Sequence, residues 1–134
     1  MKANELMIDD WVYNKNIDKP MQVYPTMFSQ MFRQRPDAPT EDYNIFPIRI
    51  TPEILEKNGF RETDVVVVGT RKMRWESEDG RTEITIWMDY TMPMEIRKNI
   101  YYEDEVCYAL PFAWAVHQLQ HAMRLCGIEK EIEL

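Results

Sequence analysis

Apolar residues recur at steps of three and four between Phe112 and Cys126, where Phe112, Ala115, Val116, Leu119, Ala122, Met123 and Cys126 fall on one helical face. The spacing predicts a long amphipathic helix over Phe112–Cys126. Gly127 follows as the residue that can turn left-handed, and Ile128 as the apolar contact of a C-cap. Elsewhere the pattern is that of strands. Trp11-Val12-Tyr13 follows a turn at Asp9-Asp10, and Met21-Gln22-Val23-Tyr24 alternates as a second strand that Pro25 ends or holds at an edge. Met27, Phe28, Met31 and Phe32 suit one short helical turn. Ile45–Ile50 is extended, with Phe46, Ile48 and Ile50 on one face and Pro47 placing it at an edge or strand start.

Thr51-Pro52-Glu53 opens a short helix by local chemistry. Thr51 is the N-cap, Pro52 takes the first helical position and Glu53 meets the positive end of the dipole; Asn58-Gly59 ends it, with Phe60 as the apolar residue beyond. Val65–Val68 is β-branched throughout and predicts a central strand covered on both faces. Met73–Ser77 and Thr82–Met88 flank the turn residues Ser77–Gly80 and predict a hairpin. Two registers compete. One sets Glu76 opposite Glu83; the other pairs Glu76 with Arg81 and Arg74 with Glu83, and opposed charges favour it. Both place Met73 and Trp75 on the face of Ile84 and Ile86. Ile96–Tyr102 predicts a further strand, Glu103-Asp104-Glu105 an acidic turn, and Ile128–Leu134 a terminal edge strand or a frayed end. Arg33–Asn44, aperiodic and broken by Pro36 and Pro39, predicts the most mobile internal loop.

These elements predict one α+β domain spanning residues 1–134: a bent, mostly antiparallel sheet or partial SH3-like barrel, with the long C-terminal helix packed on it and the short helix as a connector. Asp9 stands where SH3-like barrels commonly have glycine before the strand, which weakens that part of the reading. The predicted core is Trp11, Val23, Ile48, Val66, Val68, Ile84, Ile86, Val116, Leu119 and Met123. Most of the ten methionines are read as core residues rather than as an adaptable surface.

Charge narrows the function classes. Sixteen basic against 23 acidic residues give a net charge of −7, and Lys and Arg are scattered, which argues against nucleic acid. The opening residues carry Glu5, Asp9 and Asp10 where a signal peptide needs an apolar run, and no membrane span is expected. With Cys107 and Cys126 read as reduced thiols, the expectation is a cytoplasmic protein. Acidic neighbours would raise the pKa of Cys107 and discourage a catalytic role.

His117 and His121, four apart, share a helical face at the spacing by which helices grip zinc. Gln118 replaces the glutamate that a zinc protease needs as general base. About 100° per residue from Phe112 projects both histidines away from the apolar face, near Trp114 and Leu125, exposed or covered by a second element. A third ligand would come from elsewhere, with Glu103–Glu105 nearby in sequence. No phosphate loop, serine elbow or paired-cysteine zinc motif occurs, so no catalytic residue and no cofactor are assigned. The expected function is a non-enzymatic binding or accessory module with a protein partner or a second copy of itself. The alternative is a metal-dependent enzyme or metal-binding protein using His117 and His121.

Three blocks carry a resemblance: the opening Asn4-Glu5-Leu6-Met7-Ile8, the run Thr51-Pro52-Glu53-Ile54-Leu55-Glu56-Lys57-Asn58-Gly59-Phe60, and His117–Gly127. Together, in this order, they resemble a group of small uncharacterised proteins of gut bacteria and their phages or mobile elements. The resemblance implies that setting and assigns no activity or site residue.

Overall fold

The computed structural model describes residues 1–63, 71–88, 94–100, 103–110 and 114–134, without the side chains of Phe32, Gln34, Asn99, Ile100 and 103–110. The predicted Val65–Val68 strand, and with it the core positions Val66 and Val68, lies outside the described residues, as does Phe112. The chain is α+β with antiparallel sheets and divides into two compact units, residues 1–49 with 115–117, and residues 50–114 with 118–134.

The first unit is built on a three-stranded antiparallel sheet in the order β2-β1-β3, formed by β1 (Trp11–Asn14), β2 (Lys19–Gln22) and β3 (Ile45–Pro47). Its prolines obey the edge rule: Pro20 and Pro47 sit on the two outer strands. Asp9 takes the left-handed conformation itself, at φ +72°, and Asp10 Oδ2 accepts a 2.7 Å bond from the Met7 amide. Aspartate visits that region more readily than most residues, so the turn forms without glycine. Neither sheet closes on itself among the described strands, and the SH3-like barrel has no counterpart there.

Helix α1 (Pro25–Gln34) is ten residues long, where the spacing suggested a single turn. Pro25 does not merely end a strand; it occupies the helix start, where its missing N–H costs nothing. Met27 and Met31 then bury with Ala3, Leu6, Val12, Val23 and Ile45 in one cluster. Two faces were misassigned. Trp11 and Phe46 are half-buried, while their neighbours Val12 and Ile45 are inside, and Ile48 is only half-buried.

The Arg33–Asn44 segment is pinned, contrary to the expected mobile loop. Asn4 donates to the Pro36 carbonyl at 3.0 Å, Ala3 to Ala38 at 3.2 Å and Thr40 to Met1 at 2.8 Å. Ala38 is buried, and Thr40, fully buried, donates through Oγ1 to the Ile45 carbonyl at 2.8 Å. Proline denies a strand its donor but keeps its carbonyl, and Asn4 uses that of Pro36.

In the second unit a five-stranded meander runs β4-β5-β6-β7-β8, formed by β4 (Arg61–Thr63), β5 (Lys72–Glu76), β6 (Thr82–Trp87), β7 (Met94–Ile100) and β8 (Glu103–Leu110). Glu103-Asp104-Glu105 therefore belongs to a strand rather than a turn, paired with Ile100, Asn99 and Lys98. The ladder passes from Ile96↔Tyr108 to Arg97↔Val106, leaving Cys107 as the extra residue of a bulge, a device that bends a strand.

The hairpin adopts the register with Glu76 opposite Glu83, not the charge-paired alternative. Arg74, two residues back on β5 and opposite Thr85, bridges both carboxylates with its guanidinium and offsets their repulsion. The turn chemistry agrees. Ser77 N donates to the Thr82 carbonyl at 2.9 Å, Thr82 N to Ser77 Oγ at 3.0 Å, and Gly80 is left-handed at φ +69°.

Met73, Ile84, Ile86, Met94 and Ile96 are buried on one sheet face. On the other lie Arg74, Glu76, Glu83, Glu95 and Arg97, with Lys72 over the Trp87 ring at 5.3 Å. Helix α2 (Pro52–Lys57) follows its predicted caps. Thr51 Oγ1 accepts from Ile54 N at 3.2 Å, Gly59 turns at φ +86°, and Phe60, buried, donates to the Leu55 carbonyl at 3.0 Å.

Helix α3 (Val116–Leu125) is shorter than predicted. Its start is displaced because Ala115 forms a bridge with Arg49 and Val116 N donates to the Ile48 carbonyl at 2.8 Å, so the preceding backbone is extended. The buried face is as expected, with Val116, Leu119, Ala122, Met123 and Cys126 all inside. Gly127 at φ +70° and the 2.9 Å bond from Ile128 N to Met123 O close it.

The N-cap bond at Thr51 is testable on its own. Thr51→Ala should lower stability by about 1 kcal/mol, while Thr51→Ser should be nearly neutral. In urea unfolding, the alanine variant's midpoint should fall at unchanged slope. An unchanged midpoint would show that the cap contributes nothing.

Candidate functional site

The two histidines do not behave as a pair on the far face. Angles of about 100° per residue put His121, Gln118 and Leu125 on the outer arc of α3, and His121 is half-buried and Leu125 72% exposed. His117, by contrast, is only 5% exposed. It lies in the first turn, where the burial extends further round the helix than in the last, and Arg124 at a similar azimuth is exposed. Trp114, 42% exposed, precedes the helix and donates its backbone N–H to Gln118 Oε1 at 3.1 Å. Among the described residues no three His, Cys, Asp or Glu side chains gather as a metal site, and the side chains of Glu103–Glu105 and Cys107 lie outside them. A tetrahedral zinc site needs more donors than two imidazoles one turn apart.

Among the described residues the second unit offers two concave surfaces instead. The larger, about 690 Å³, forms where the apolar sheet face runs out under the end of α3. Trp75, Ser77, Thr82 and Lys98 line it from the sheet, Glu78 and Asp79 from the hairpin turn, and Gly127, Ile128, Glu129 and Lys130 from the chain leaving α3. Trp75, opposite Ile84, continues the buried face outward and is half-buried, with the Lys130 ammonium 5.8 Å from its ring centroid. Thr82 and Lys98 oppose each other at the next open rung. A methyl group on Gly127 would lie 3.7 Å from Lys98 Nζ, so this half-buried ammonium sits at the negative end of the α3 dipole.

The Ser77 hydroxyl and the Asp79 carboxylate of this cleft are committed to the turn. Ser77 Oγ donates to Asp79 Oδ1 at 2.6 Å, and the Arg81 amide donates to the same oxygen at 3.0 Å. The Ser77 bond first and the Arg81 amide second hold the Asp79 carboxyl below its ordinary pKa, which makes it a weaker proton acceptor. Such an arrangement fixes a turn; it does not activate a serine.

The smaller concavity, about 400 Å³, lies on the opposite face, lined by Gly59, Arg61, Thr63, Arg74, Glu76 and Ser77. Arg61 and Arg74 are directly opposed there, and Glu76 and Glu83 offset the charge of Arg74.

None of the cleft residues was singled out from sequence as a site residue. Trp75 reads as sharing a hairpin face with Ile84 and Ile86, Lys98 falls in the Ile96–Tyr102 strand, and Lys130 in the terminal edge strand or frayed end. They converge only through the register of β5, β6 and β7 and the cap of α3. Among the described residues no helix is long and apolar enough to cross a membrane. Compared with protein-family models, curated proteins and solved structures, the chain matches none.

The lowered Asp79 pKa gives a signed expectation. Its contribution to hairpin stability is complete above the ordinary carboxylate pKa and disappears as pH falls through the lowered one. A carboxyl NMR titration should place the Asp79 midpoint below that of an ordinary aspartate, and Ser77→Ala should move it upward. A midpoint indifferent to that change would mean the Ser77 bond is absent in solution.

Proposed function

We propose that this protein is a small non-enzymatic binding module, and that the cleft of its second unit is the recognition surface for a protein partner. The observation that carries the reading is the wall formed by Trp75 with two ammonium groups, Lys98 and Lys130, at one open concavity. A tryptophan half in and half out of the core offers a large rigid contact area at small entropic cost. Glu78, Asp79 and Glu129 share the same lining, so its charge is mixed. Mixed charge suits the varied groups of a polypeptide and opposes a uniform polyanion such as nucleic acid. The resemblance of the three sequence blocks supplies the proposed setting, an accessory protein of phage or mobile-element origin acting in the cytoplasm.

The test is capture from the native host with wild type and with Trp75→Ala and Lys98→Glu variants in parallel. A stoichiometric protein partner held by the wild type and lost at least tenfold with either variant supports the reading. Equal retention by all three would place recognition elsewhere. Metal analysis of protein purified without a histidine tag addresses the alternative: stoichiometric zinc that disappears in His117→Ala would replace this proposal with a metal site at His117 and His121.

A further inference from the structure

Asn58 is 4% exposed and reads as the C-cap of α2, yet its side chain acts on a segment 75 residues away. Oδ1 accepts the Glu133 amide at 2.7 Å, and Nδ2 donates to the Glu133 carbonyl at 2.7 Å and to the Ile54 carbonyl at 2.8 Å. One side-chain amide thus supplies both halves of a β-ladder rung to the backbone of residue 133. Its third bond, to the α2 carbonyl of Ile54, fixes the amide's orientation. On either side of this rung Ile132 is 4% exposed and the Lys57 ammonium donates to the Leu134 carbonyl. The intervening residues Glu129 and Glu131 are exposed.

Extended-peptide capture combines the same two features, main-chain bonds to the strand and burial of one apolar side chain, here Ile132. Residues Gly127 to Ile132 span about 17 Å when extended, and within that connection Gly127, Glu129 and Glu131 are exposed while Ile128 and Lys130 are half-buried. We propose that the Asn58 groove is an acceptor for an extended strand, filled in cis by residues 132–134 and in trans by the same segment of a second copy. The occupant follows from the contacts themselves, because an identical segment reproduces every one of them. The cis segment competes at an effective concentration of about millimolar, so occupation in trans appears when that segment is loosened. This inference does not depend on the Trp75 cleft being a recognition surface.

The probe is a fluorescently labelled peptide of the sequence Gly127–Leu134, followed by anisotropy against the full chain. The Glu133→Pro variant removes the amide that Asn58 accepts while keeping Ile132, and Ile132→Glu removes the apolar anchor. Whichever of the two retains the wild-type circular dichroism serves as the loosened chain. It should bind the peptide at least tenfold more tightly than wild type, and adding Asn58→Ala should abolish the gain. A peptide with the same residues in scrambled order should not bind. Equal binding by wild type and loosened chain, insensitivity to Asn58→Ala, or equal binding of the scrambled peptide would each overturn the proposal. Loss of folding in both single variants would overturn it as well, since the segment would then be an indispensable part of the core rather than an exchangeable ligand.

Discussion

Along the β5-β6-β7 meander each rung puts apolar side chains on one face and charges on the other, and a slip of one residue would exchange the two. Trp75, Ile84 and Ile96 stand side by side, as do Met73 and Ile86. The buried members of that set share a compact unit with Leu119, Ala122 and Met123, the buried face of α3. At the far end of the same face the apolar residues give way to Thr82 and Lys98, and α3 stops at Gly127. The cleft is the space left by those two endings. One register therefore sets both the core and the surface available for recognition.

The parts of the fold that were legible in the sequence are those governed by chemistry within a few residues. Thr51-Pro52 and Asn58-Gly59-Phe60 bracket α2 because an N-cap hydroxyl, a proline ring and a left-handed glycine act locally. Gly127-Ile128 ends α3 for the same reason. The start of α3 was not legible, since apolar periodicity continues back to Phe112 while the backbone at Ala115 and Val116 is taken by Ile48 and Arg49, far away in sequence. The hairpin register misled for a related reason. Counting only directly opposed charges ignores that Arg74 can reach Glu76 along its own strand and Glu83 diagonally across.

The candidate sites divide along the same line. His117 and His121 are conspicuous because a helix repeats locally, yet helical spacing says nothing of where the first turn is buried, and His117 proves to be inside. Trp75, Lys98 and Lys130 come from three separate stretches and carry no common motif. Asn58 is the sharper case. A capping asparagine is visible in sequence, but its grip on Glu133 exists only because α2 and the C-terminal segment are brought together. Long-range placement, not residue type, makes these positions functional candidates.

Because core and cleft both rest on the β5-β6 register, cross-strand proton contacts measure the claim most directly. In antiparallel pairs that exchange no hydrogen bonds, facing Cα atoms lie closest, about 4.5 Å apart, and their α-protons give strong nuclear Overhauser effects. With Ser77 bonded to Thr82, those pairs include Glu76 with Glu83 and Arg74 with Thr85. Strong α-proton contacts within these two pairs are the result the account predicts. Contacts between Arg74 and Glu83, with Glu76 facing Arg81, would show the charge-paired register and contradict it.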